Sequence, residues 1–249
     1  MDVDAYLTRI GARRPARPTA DALRGLQVAH LLSVPFEILD IVARTPILLD
    51  LEAIYDKVVT RRRGGFCYEL NGLFGWLLEA LGFRVTRLSG RTFDEARTLG
   101  PEFDHLALLV DLGPEYLADV GFGDTFREPL RLVGSLEQTD SLGRAYRLEP
   151  DGDEWTLEER RSRRDLWAPQ YRFTLVPRTL DDFTAMCRWQ ETEAPYFTSH
   201  RICSLSTSDG RITLYDDRLI VHAGGVRRER AVDEGEVAAL LRDRFGIEL

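Results

Sequence analysis

No stretch of this chain approaches the ~18 consecutive apolar residues of a membrane-spanning helix, so no membrane partner is expected. The amino terminus, Met1-Asp2-Val3-Asp4-Ala5-Tyr6, lacks the basic start and apolar run of a secretory signal, and a cytoplasmic location is the expectation. Cysteine is scarce. There are three, an odd number with no CxxC pair, which argues against a disulfide framework and against a zinc ribbon. The thiols are therefore expected to be free, and no metal is expected. Net positive charge is lacking too: at −8 the chain is not built as a general nucleic-acid binder, and the arginine clusters at 61–63 and 160–164 read as solvated faces. Internal repeats and low-complexity linkers are absent, so its zones are expected to pack together.

What is present is core material. With 249 residues, 44% of them hydrophobic, the chain can hold one large domain or two to three small ones. The first third reads as helical, with stripes at Val3, Tyr6, Leu7, Ile10 and at Leu23, Leu26, His30, a break at Ser33-Val34-Pro35-Phe36-Glu37, and a helix from Asp50 with Leu51, Ile54 and Val58 inward. From Arg84 the period becomes that of strands: residues 85–88, 106–110 and 116–120, the last two joined by a Gly113-Pro114 turn as an antiparallel hairpin. Further strands are expected at 146–148, 155–158 and 171–176, making a small barrel or sandwich. The last zone mixes types. A helix opens on a Thr179/Asp182 capping box, strands follow at 202–205, 212–215 and 219–221 with Asp209-Gly210 as a hairpin turn, and an Asp233-capped helix is stopped by Gly246. The fold class is α+β.

The chemistry centres on Arg61-Arg62-Arg63-Gly64-Gly65-Phe66-Cys67-Tyr68-Glu69-Leu70-Asn71. After Cys67, the residues Leu70, Leu73, Phe74, Leu77, Leu78 and Leu81 recur at helical spacing, and Gly82 marks the stop. Cys67 thus falls in the first helical turn, where unpaired N–H groups and the helix dipole favour an anion. Helix starts and basic neighbours bring a thiol from ~8.5 to ~3.5–7.5, so an activated thiolate is expected here.

A nucleophilic thiol needs a base within hydrogen-bond reach and a group that orients the base. Of four histidines, His30 reads as a satisfied core residue, and His200 and His222 lie in the last zone with no orienting carboxylate in the local pattern. His105, opening a strand, is the candidate base. The returning strand brings Asp119 towards it, but register is not set by sequence, and Asp104 and Asp111 compete on spacing alone. Gly121 and Gly123, in the loop that follows, allow close backbone approach to a ligand, although a lone GxG reads first as a tight strand exit. Cys187 and Cys203 read as packing residues.

Residues 63–71, Arg-Gly-Gly-Phe-Cys-Tyr-Glu-Leu-Asn, resemble the RGG(F/Y)CxExN segment of the arylamine N-acetyltransferase family, and Asp119-Val120-Gly121-Phe122-Gly123 resembles its DVGFG. His105, Pro35-Phe36-Glu37, residues 207–211 and Arg218-Leu219 fit as well, so the likeness runs nearly end to end. It implies a helical bundle over 1–83, a β-barrel over 84–178 and an α/β lid over 179–249, with a Cys67–His105–Asp119 triad arranged as in papain-like proteases. It further implies acetyl-CoA as co-substrate, lying between barrel and lid, and a small aromatic amine or hydrazine as acceptor, in a ping-pong reaction through acetyl-Cys67. Phe36, Phe66, Phe122 and Phe126 would wall the amine pocket, and Glu37 would pair with Arg63 behind the nucleophile. Ile38 stands where the family usually has Asn, which bears on that support. Within the resemblance, an amide synthase that closes a macrolactam on an internal arylamine is the alternative. A cysteine protease and a catalytically silent ligand-binding homologue stand further off.

Overall fold

Three helices of the first third begin where a side-chain oxygen caps them. Asp2 Oδ1 accepts Asp4 N–H at 2.8 Å to open Val3–Arg9, Thr19 accepts Ala22 N–H at 3.2 Å to open Ala20–Ser33, and Asp50 accepts Ala53 N–H at 2.9 Å to open Leu51–Tyr55. The computed structural model describes residues 1–248. The apolar stripes of these helices (Tyr6, Leu7, Ile10, Leu23, Leu26, Ile54) close on the helix Cys67–Ala80, which Gly82 ends in the left-handed conformation, φ 87°. That helix is buried almost all round, because the bundle covers one face and the strands Arg84–Thr92 and His105–Asp111 cover another.

The central sheet is antiparallel and eight-stranded. Its spatial order is Leu130–Arg131, Glu115–Ala118, His105–Asp111, Arg84–Thr92, Ala168–Thr174, Glu154–Arg160, Ala145–Asp151, Gln138–Thr139. It wraps around Leu88, Ala107, Tyr146, Leu157, Tyr171 and Phe173. The result is near-barrel rather than a barrel closed by strand pairing. Where the two edges meet, the Gln138 side-chain amide stands in for a backbone: its oxygen accepts Arg131 N–H at 2.8 Å and its nitrogen donates to Arg131 carbonyl at 3.0 Å. The two edge strands, two residues each, are too short for a period-two pattern to register.

A second antiparallel sheet has the order Phe36–Glu37, Ile202–Thr207, Gly210–Tyr215, Arg218–Ala223, Val226–Ala231, backed by the helix Glu234–Leu240. Its first strand comes from the N-terminal region. Read in sequence only as a break, Phe36–Glu37 pairs with Ser204 and Cys203 and stitches bundle to lid. The helix Pro195–Ser199, one and a half turns long, was also not signalled.

Gly210 has a different role from the one expected. Thr207 pairs with Gly210, so the turn residues are Ser208 and Asp209, and the glycine sits on the strand. A Cβ there would come within 1.8 Å of the His222 carbonyl oxygen on the neighbouring strand. Gly210→Ala is therefore expected to destabilise the fold by on the order of 1–3 kcal/mol through overpacking, seen as a lower urea midpoint; an unchanged midpoint would refute the contact.

Candidate active site

Cys67 is the first residue of its helix, and the chain leading to it is forced close to two other elements. A Cβ on Gly64 would lie 2.0 Å from the Pro35 carbonyl oxygen, and one on Gly65 would lie 2.7 Å from Glu69 Oε2, so both glycines answer to close packing. Phe66, in the cap position, has no side-chain acceptor, which leaves the first N–H groups of the helix open.

His105 begins its strand and Asp119 follows the end of the strand Glu115–Ala118, with Leu108 opposite Ala118. This register carries Asp119 back to the imidazole: His105 Nε2 lies 2.7 Å from Asp119 Oδ2. An ionised carboxylate can only accept, so Nε2 carries the proton and Nδ1 is left as the basic nitrogen. The backbone N–H of the next residue, Leu106, favours the Cys67 thiolate. Cys67, His105 and Asp119 form a buried triad-like arrangement, 6%, 2% and 0% exposed.

Asp119 is held by four donors. Oδ2 accepts from His105 and from Tyr171 OH at 3.1 Å, and Oδ1 accepts from Asn71 Nδ2 at 2.8 Å and Gly121 N–H at 2.9 Å. Burial alone would raise its pKa, but the His105 charge and these hydrogen bonds outweigh burial and hold the carboxyl below its usual range. Asn71 also accepts Val120 N–H at 2.8 Å and donates to the Leu106 carbonyl at 2.6 Å, tying the nucleophile helix to both strands. Gln27 accepts Asp119 N–H at 3.3 Å from the far side. The competitors on spacing are engaged elsewhere: Asp104 accepts from Thr92 and Gln190, while Asp111 pairs with Arg84 at the surface.

The expected help from the arginine triplet is not there. Arg61 pairs with Asp56 in solvent, and Arg63 turns away to Glu37 and Asp40. Burial pushes the Cys67 thiol well above its ordinary value; the Leu106 N–H works against this, while Asp104 and Asp119 add to it. The site therefore favours the thiol over an isolated thiolate, and a thiolate here requires a partner that takes the proton. The Glu37–Arg63 support is complete despite Ile38: Glu37 Oε1 lies 2.8 Å from Arg63 Nη2, and Oε2 accepts Leu39 N–H at 2.7 Å. Ile38 itself is 1% exposed and packs into the bundle core.

The phenylalanines divide. The Phe122 ring stands edge-on to His105, centroids 5.2 Å apart, and half-buried Phe36 packs against Gly123, whose φ is 92°. Phe66 and Phe126 are fully buried, the first in the bundle core against Tyr68 and Phe197, the second in the near-barrel against Tyr146. Gly121 lies against Cys67 itself: a Cβ there would be 2.7 Å from Cys67 Cα. The other thiols, Cys187 and Cys203, are buried and pushed up by burial.

Of the remaining histidines, His30 is a core residue bonded to Tyr6 OH at 3.0 Å and pushed down by burial to about 3, hence neutral. His222 is exposed on a strand. His200 does have an orienting carboxylate, Asp216 at 2.7 Å, which local pattern did not reveal. It lines a groove of about 940 Å³ with Arg44 and Arg188, and no cysteine borders that groove. Sequence reasoning also missed Tyr171 and Gln27. In sequence Tyr171 is only the first residue of an expected strand, and its partner lies 52 residues away.

A sequence model described as N-acetyltransferase matches residues 19–249. The arylamine N-acetyltransferase of Mycolicibacterium smegmatis is 38% identical over 260 residues, covering all of this chain and 93% of that protein. The Escherichia coli protein of the same description is 34% identical, covering 97% and 87%. Among solved structures, that of the Mycobacterium marinum arylamine N-acetyltransferase in complex with CoA superposes with a TM-score of 0.90 at 34% identity, covering 99% of this chain and 93% of that one. With the triad-like arrangement on a matching fold over its whole length, the chain belongs to the arylamine N-acetyltransferase family.

Proposed function

We propose that this protein transfers an acetyl group from acetyl-CoA to the nitrogen of an arylamine or arylhydrazine, with Cys67 as the acyl carrier. The observation that carries this reading is the buried thiol at a helix start, in a triad-like arrangement with a His105 whose Nε2–H is committed to Asp119. Cys67 passes its proton to His105 Nδ1, and the thiolate attacks the thioester carbonyl. The carbon–sulfur bond to CoA breaks, and the CoA thiolate takes the proton from the imidazolium. In the second half-reaction the amine attacks acetyl-Cys67, the Cys67 thiolate leaves, and His105 accepts the amine proton. The open N–H groups of the helix start serve the tetrahedral oxyanion, a contribution of ~2.7–4 kcal/mol per donor in other enzymes.

The division of labour follows the chain: 1–83 brings the nucleophile, 84–178 the base and its carboxylate, and 179–249 the lid. Phe122 and Phe36 offer the amine an apolar wall beside His105, and Phe66 and Phe126 support that wall from the cores behind it. Gly121 and Gly123 let the loop approach. Glu37 and Arg63 brace the chain before Cys67. The reaction is a cytoplasmic one.

The test is intact-mass analysis after brief mixing with acetyl-CoA. One acetyl group should appear on Cys67 and vanish when an arylamine is added. No adduct, in a folded sample whose Cys67 is alkylated by iodoacetamide, would overturn the reading.

A further inference from the structure

Lys57 is the only lysine in the sequence, and it is buried, 5% exposed. Its ammonium lies 2.6 Å from Asp40 Oδ2 and 2.8 Å from Glu69 Oε1. Each carboxylate spends its second oxygen on the segment around the nucleophile. Glu69 Oε2 accepts the Phe66 N–H at 3.1 Å, immediately before Cys67, and Asp40 Oδ1 accepts from Arg63 at 3.0 Å. Arg63 continues to Glu37, which belongs to the strand joining bundle to lid. A continuous ionic chain therefore runs from the inter-sheet strand to the backbone at the start of the catalytic helix.

Two features make this chain more than general packing. The glycine at 65 leaves the space that the Glu69 carboxylate fills, since a Cβ there would be 2.7 Å from Oε2. In a chain that otherwise uses arginine throughout, the position that must reach two carboxylates on different elements carries the compact ammonium, whose donors radiate from one atom, rather than a planar guanidinium fork. The cluster holds Lys57 and Arg63 against Glu37, Asp40 and Glu69. Removing Lys57 leaves a single cation for three carboxylates, and Glu69 buried without its partner.

We propose that Lys57 is a positioning residue for Cys67, holding the Glu69 carboxylate on the Phe66 N–H so that the helix start presents the thiol and its open N–H groups in one fixed geometry. This rests on Cys67 as the acyl acceptor. Burial pushes the Glu69 carboxyl up and the Lys57 charge opposes it; without the ammonium the buried carboxylate has no cation beside it and turns off the Phe66 N–H to find one or to reach water, so the helix start is no longer pinned.

The experiment is single-turnover acetylation of Cys67 by acetyl-CoA, followed by intact mass, in wild type, K57M and K57M/E69Q. K57M is expected to be slower by on the order of 10²-fold, the scale of a misplacement of about 1 Å. In the double variant the pair is neutral and the amide oxygen still accepts Phe66 N–H, so the rate should return to within about tenfold of wild type. Lys57 has no positioning role if K57M loads at the wild-type rate or if the double variant is no faster than the single. Wild type that acquires no acetyl group would instead sink the acyl-carrier reading. Should K57M fail to fold, wild type carries the test. Labelled with ¹⁵N at lysine Nζ it has one side-chain lysine signal, which must shift when acetyl-CoA loads Cys67 and stay in place in C67A. A signal indifferent to acylation overturns the coupling.

Discussion

Replacing Asp119 by asparagine should lower the rate of Cys67 acetylation by ~10³–10⁴-fold, the scale seen when a triad histidine is given the wrong tautomer. The geometry makes the loss specific. Four donors converge on Asp119: His105 Nε2–H and Tyr171 OH on one oxygen, Asn71 Nδ2 and Gly121 N–H on the other. An asparagine has one oxygen to offer. If that oxygen stays with Asn71 and Gly121, its NH₂ faces His105, which must then accept at Nε2 and carry its proton on Nδ1. The nitrogen needed as base is then blocked. If the amide flips, two buried donors face an NH₂ instead, at ~1–3 kcal/mol for each unsatisfied group. Native Asp119 also has a pH signature. Its folded-state carboxyl is held below the usual value, so it contributes stability that is present above ~3.9 and lost as pH falls through the lower folded value. D119N should lack that acid limb. Single-turnover mass analysis with urea titrations at several pH values measures both effects. A D119N protein within tenfold of wild type in acetylation would show that the His105–Asp119 contact does not set the tautomer.

Gly121→Ala should lose on the order of 10²-fold in the same rate, for a purely steric reason. A methyl group at 121 would stand 2.7 Å from Cys67 Cα, 2.8 Å from Asn71 Nδ2 and 3.0 Å from the Cys67 carbonyl oxygen. Two of these atoms are helix backbone, which cannot rotate away as a flexible side chain can. Either the nucleophile's helix moves or the loop carrying Phe122 does, and in both cases Asn71 loses its hold on Asp119 or on Val120. Overpacking adds ~1–3 kcal/mol of destabilisation. The two parts separate experimentally, because the urea midpoint reports the strain and the acetylation rate below the unfolding transition reports the geometry. A G121A variant with wild-type rate and midpoint would mean that the loop does not rest on Cys67.

Much of this site is legible in the sequence. The apolar spacing from Leu70 to Leu81 placed Cys67 at a helix start, and the Asp50, Thr179 and Asp233 caps placed helices that the structure contains. These are local properties, because a side-chain period and a capping oxygen act within one or two turns of their own residue. The hairpin through Gly113-Pro114 was equally visible. Its register was not, and with it the choice among Asp104, Asp111 and Asp119, since a slip of one residue changes face without changing composition. The family resemblance points to Asp119 where spacing does not, and Asp119 is the carboxylate that meets His105.

Tertiary structure alone decided the rest. Tyr171 and Gln27 reach Asp119 from residues 52 and 92 positions away, and nothing near them in the chain announces a carboxylate partner. The Gln138 amide joins the sheet edges through a side chain, outside any strand period. The balance at Cys67 was reversed in the same way. Sequence placed arginines beside the thiol, but folding turned Arg63 to Glu37 and Asp40, left Arg61 in solvent and buried the sulfur. The helix start at Cys67 was written in the local order of residues. Whether that thiol meets water, a cation or an imidazole depends on what the fold brings from elsewhere, because desolvation and charge act through space and not along the chain.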